Sequence, residues 1–129
     1  MKKRAIPAVL AALGLMVVVA LPAPAETVLH LRLDTSTPEA DQVVTQSPER
    51  LLLDFSQRPE VAVSRVAVTG AHGAAKLTEP KLDEEDDSIL WVAFEEPLHD
   101  GAYTVNWTTS SGDGHPVRGE FSFTVSTGR

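Results

Sequence analysis

Beyond residue 25 the apolar residues of this chain recur with a period of two, in short runs separated by turn-forming residues. No window longer than a turn repeats at the i, i+3, i+4, i+7 spacing of an amphipathic helix. A period of two sends successive side chains to opposite faces of an extended strand, so one face can be buried while the other stays wet. From Thr27 to Asp34, Leu29, Leu31 and Leu33 fall on one face and Val28, His30 and Arg32 on the other, which points His30 away from the leucine face. Further strands are predicted at 50–55, 62–69, 88–94, 102–108 and 117–125. The last four are each rich in Val, Phe, Trp, Tyr or Thr, and breakers such as Ser47-Pro48, Gly70, Gly73 and Pro97 divide the strands. Tyr103, Val105 and Trp107 line one face of one strand, and Phe121, Phe123 and Val125 one face of the next. These aromatic faces can meet, so Tyr103 and Trp107 are assigned to the core. About seven short antiparallel strands with almost no helix predict an all-β fold, a Greek-key β-barrel or sandwich of Ig-like or cupredoxin-like type.

The 129 residues have room for one such domain, and the first 25 follow a different rule. Met1-Lys2-Lys3-Arg4 is a basic start, Ala5 to Leu21 is an apolar run broken by Pro7, and Ala23-Pro24-Ala25 is a small-x-small cleavage site. Together they predict a secretory signal over 1–25 and a β domain over 26–129, exported to the periplasm or beyond the cell. The apolar run is short for a membrane anchor, which needs about 20 residues. Cleavage after Ala25 would remove three of the 11 basic residues and none of the 18 acidic ones, leaving a formal charge of −10. Nucleic acid requires a basic stripe, and none is present. The chain has no Cys, which excludes disulfides, zinc fingers, iron–sulfur centres and thiol nucleophiles. Its two methionines, Met1 and Met16, both lie in the signal, so the mature domain would carry no sulfur ligand.

Histidine and carboxylate remain as chemistry-bearing groups. In Ser111-Gly112-Asp113-Gly114-His115-Pro116, Asp113 and His115 stand two apart in a glycine-bearing loop between two strands, where both side chains can turn toward one point. With a second imidazole they would make an N,N,O set suited to Cu(II), with Zn(II) and Ni(II) as competitors. The same Asp-Gly is also a plain hairpin signal, and spacing alone does not bring His30 beside His115. Ser110 and Ser111 lie near the imidazole, but nothing in the sequence supplies an oxyanion hole, so no catalytic residue is assigned. The acidic run from Asp83 to Asp87 lacks the spaced ligands and glycine of a calcium loop and reads as a solvated connection. His99, beside a turn, is a substitute ligand at most.

Four segments together resemble the CopC family of small exported copper-resistance proteins. They are His30-Leu31-Arg32-Leu33-Asp34-Thr35-Ser36-Thr37-Pro38, Leu53-Asp54-Phe55-Ser56, the run from Pro97 to Trp107, and the run from Ser111 to Val125. The resemblance implies a seven-stranded Greek-key barrel that binds Cu(II) without enzymatic activity. The metal ligands it implies are His30, Asp113 and His115. It further implies copper sequestration, or hand-over to a multi-spanning membrane copper-transport protein, and the chain is expected to act as a monomer. The methionine-rich Cu(I) site found in the family cannot be built here. Two departures should weaken copper binding: Glu26 rather than His30 would begin the mature chain, and Gln57 stands where some members have Glu. The other function this fold could carry is that of a metal-free Ig-like interaction module.

Overall fold

The computed structural model describes residues 4, 14–23 and 30–128. Among the described residues nine strands form: β1 (Leu33–Thr37), β2 (Val43–Val44), β3 (Arg50–Phe55), β4 (Arg65–Gly70), β5 (Gly73–Ala74), β6 (Lys81–Leu82), β7 (Ile89–Ala93), β8 (Gly101–Ser110) and β9 (Pro116–Val125). They build a four-stranded sheet in the order β1-β3-β7-β6 and a five-stranded sheet in the order β2-β9-β8-β4-β5. The result is a sandwich of two sheets rather than a closed barrel. The chain passes between the sheets after β1, β2, β3, β5 and β7, which brings segments distant in sequence together at the sandwich ends.

Five of the six strands of five or more residues coincide with predicted ones, and the sixth, β1, shares only Leu33 and Asp34 with the predicted 27–34. The three additional strands are two residues long, below the length at which a period of two can be seen. One pairing departs from the antiparallel expectation: β2 runs parallel to β9, with Val43 beside Thr124 and Val44 beside Val125. The predicted strand over 62–69 is divided, because Val61–Val63 forms a single 3-10 turn before β4 begins. The predicted strand over 27–34 also moves. Thr27 to Leu29 lie outside the described residues, and β1 itself starts at Leu33. Arg32 pairs instead with the segment after β3: its N–H donates to Ser56 Oγ at 3.0 Å, and its carbonyl accepts from Ser56 N–H at 2.9 Å. A register shift between Leu33 and Thr35 then resets the alternation, so Ser36 turns inward and its hydroxyl donates to the Pro38 carbonyl at 2.8 Å.

The core lies between the sheets. Leu31, Leu51, Leu53, Phe55, Leu90 and Val92 face Val68, Tyr103, Val105, Trp107, Phe123 and Val125, and all are buried. Burying a side chain of this size contributes about 1.5–3 kcal/mol. Phe55 meets Trp107 edge to face across the sandwich at 5.2 Å between ring centres. Tyr103 and Phe123 are register partners on β8 and β9, stacked side by side at 5.6 Å. The two aromatic faces thus form one continuous inner surface of the five-stranded sheet. Among the described residues no helix is long and apolar enough to cross a membrane. Leu15, Met16, Val18 and Leu21 are exposed and do not belong to this core.

Candidate metal centre

His30 is placed from the four-stranded sheet. Leu31 is buried in the core, and the paired bonds between Arg32 and Ser56 tie the next residue to the end of β3. With Leu31 pointing in, alternation points His30 out, and its side chain is 61% exposed. Asp113 and His115 come from the other sheet, on the hairpin between β8 and β9. Gly114 closes the turn with its N–H donating to the Ser111 carbonyl at 3.1 Å. Its φ of +78° is a conformation glycine adopts without strain. The Asp-Gly hairpin signal and the proposed ligand pair are therefore the same structure.

The three predicted ligands converge. Asp113 Oδ2 lies 3.9 Å from His30 Nδ1 and 3.5 Å from His115 Nδ1, and the two imidazole centres are 5.8 Å apart at an interplanar angle of 81°. Two ligand atoms bound to one ion at about 2.0–2.1 Å stand between about 2.9 and 4.1 Å apart, depending on the angle at the metal. Both separations fall in that interval. The side chains are open to solvent, with His115 71% and Asp113 33% exposed. Among the described residues no three His, Asp or Glu side chains are drawn into a closed metal-holding group. His30, Asp113 and His115 converge without closing.

Asp113 is the most constrained of the three. Its Oδ1 accepts the Ser111 hydroxyl at 2.9 Å and the His115 backbone N–H at 2.9 Å, which leaves Oδ2 facing the imidazoles. The backbone bond first, and then the hydroxyl, hold its carboxyl below the usual carboxylate range. The carboxylate is therefore ionised throughout the range in which imidazoles titrate. Ser111, considered in the sequence only as a nucleophile, is buried and donates to Asp113, so it serves the carboxylate. The spacing of Ser111 and Asp113, two residues apart in a turn, is the signal that could have identified this bond. Gln57 is half-buried just beyond β3. His99 is not a neighbour of this centre. It precedes the start of β8, a strand about 30 Å long, whereas the hairpin follows its end. The acidic run serves its own turn: Asp83 Oδ2 accepts the N–H groups of Glu85 and Asp86, and Asp86 Oδ1 accepts from Ser88.

Residues 33–126 match the model of the CopC domain. The chain is 35% identical over 97 residues to Protein YobA of Escherichia coli K12, covering 74% of this chain and 78% of that protein. It is 33% identical over 103 residues to Copper resistance protein C of Escherichia coli, covering 74% of this chain and 81% of that protein. Among solved structures it is similar to that of PcoC, described as a methionine-rich copper resistance protein from Escherichia coli. There the TM-score is 0.69 and the identity 31%, over 76% of this chain and all of that one.

Proposed function

The chain belongs to the CopC-domain family, and from that premise we propose that it is an exported protein of copper resistance that binds Cu(II) through His30, Asp113 and His115. The single observation that carries this reading is the convergence of both Nδ1 atoms on Asp113 Oδ2 from opposite sheets. Nothing in strand packing requires two solvent-exposed imidazoles to meet there. Two nitrogens and one carboxylate oxygen form a set suited to a tetragonal Cu(II) ion, with water or the Gln57 carbonyl completing it. The absence of methionine beyond Met16 favours this hard and borderline donor set over any thioether site.

Copper here is cargo. The exposed ligands suit capture and release, and the reading is of a binding protein that sequesters copper or passes it to a multi-spanning membrane transporter, acting as a monomer. The start of the chain, 1–25, is read as the secretory signal, which places the domain in the periplasm or outside the cell.

The test is a Cu(II) titration of the mature protein, followed by electron paramagnetic resonance and set against His115→Ala. One copper per chain with a nitrogen-rich tetragonal signal, lost in the variant, is the expected result. Scattered copper, identical in both proteins, would instead identify a fold that has outlived its metal and acts as an interaction module.

A further inference from the structure

The other two histidines also meet, at the opposite end of β8. His72 occupies the hairpin between β4 and β5, His99 the connection into β8, and their ring centres lie 5.1 Å apart at 57°. Twenty-seven positions separate them, and neither packs into the core; both are exposed. They face a shared cavity of about 210 Å³ whose walls also include Lys76, Glu96 and Tyr103.

The loops that carry them are fixed from several sides. Tyr103, buried in the core, donates its hydroxyl to the His99 carbonyl at 2.7 Å. Its ring lies against Gly70, where a Cβ would come within 2.6 Å of Tyr103 Cε1. One aromatic side chain thus sets both the base of the His72 hairpin and the backbone of His99. On either side of His99, Leu98 N–H donates to Ser47 Oγ at 2.7 Å, and Asp100 accepts from Thr127 N–H and Oγ1 at 3.0 and 2.7 Å. Lys76 and Glu96 close another bridge between the walls at 3.0 Å. Two exposed imidazoles are therefore presented by a hydrogen-bonded frame, and tethering of this kind reduces the freedom a two-residue ligand pair loses on binding.

The spacing is informative. Imidazoles bonded to one tetrahedral ion at about 2.0 Å have their ring centres about 5 Å apart. We propose that His72 and His99 form a second site, for a divalent transition-metal ion of tetrahedral preference such as Zn(II), independent of the His30, Asp113 and His115 centre. Water supplies the remaining positions, and the Glu96 carboxylate, held by Lys76, lines the same cavity. Lys76 opposes the incoming charge, so the site is the weaker of the two.

The experiment is titration of the chain with zinc chloride, read by calorimetry and by the ring-nitrogen resonances of the four histidines. The chain should take up two equivalents. His72→Asn and His99→Asn should each remove one equivalent and leave the His30 and His115 resonances responding. His115→Ala should remove the other and leave His72 and His99 responding. Far-UV circular dichroism checks that each variant is folded, which exposure of both side chains favours. Unshifted His72 and His99 resonances at saturating zinc, or a stoichiometry unchanged in both asparagine variants, would overturn the assignment whatever happens at the first centre.

Discussion

At the scale of single residues the candidate centre depends on a division of labour within one carboxylate. Asp113 uses Oδ1 for two bonds to its own hairpin and presents Oδ2 to His30 and His115. Ser111 supplies one of the two bonds from a buried position, so it holds the proposed carboxylate ligand still. Replacing Ser111 with Ala leaves all three proposed ligands in place and leaves Oδ1 held by the His115 backbone N–H alone. Loss of such an outer contact costs about tenfold to a hundredfold in metal affinity. The expected result for Ser111→Ala is one Cu(II) per chain at about tenfold lower affinity, measured by competition against a chelator of known strength. His115→Ala should abolish the stoichiometric site. Unaltered affinity in Ser111→Ala would mean that the His115 backbone N–H alone suffices to aim the carboxylate.

At the scale of elements, β8 and β9 pair along ten residues each, and on their shared ladder Trp107 lies beside Gly119. The two are register partners, and a Cβ at Gly119 would come within 2.5 Å of the indole. The ring therefore occupies space that any other residue would fill. Gly119→Ala should displace Trp107 from its edge-to-face contact with Phe55 and lower stability by about 1–3 kcal/mol. Urea unfolding followed by tryptophan emission would measure this, and an unchanged midpoint would refute it.

The same pair of strands shows how far sequence carried. The alternation of Tyr103, Val105 and Trp107, and of Phe123 and Val125, identified both strands and their buried faces, because each strand is ten residues long and one-sided. The Asp113 and His115 spacing was legible for the same reason, as a hairpin between two readable strands. What was not legible depends on contacts between distant segments. Arg32 bonds to Ser56 through a side-chain hydroxyl outside the regular ladder, and the parallel pairing of β2 with β9 involves only two residues. The meeting of His72 with His99 follows from β4 pairing with β8, a register that no single segment displays.

At the scale of the whole molecule the candidate copper ligands come from both sheets, His30 beside the end of β3 and the other two from the hairpin of β8 and β9. An ion bound by all three would join the sheets across one end of the sandwich. Ligation to the folded state alone stabilises it by about 2.7 kcal/mol when free ligand is one hundred times its dissociation constant. For a domain of this size that corresponds to a rise in Tm on the order of 10 °C.

The sign of the pH dependence follows from which ligand protonates first. Asp113 has a depressed carboxyl, so its ionised form, and the stability its hydrogen bonds contribute, persist above the ordinary carboxylate range. They are lost only as pH falls through its lowered value. Imidazoles must be neutral to coordinate and ordinarily protonate near pH 6.5, so they fail first as acid is added. Copper should therefore leave between about pH 6 and 5, while Asp113 is still charged and the apo sandwich is still folded. Paired melts with and without copper should differ on the order of 10 °C at pH 7.5 and coincide at pH 4.5. A copper-dependent Tm difference that survives at pH 4 would show that something other than His30 and His115 holds the ion.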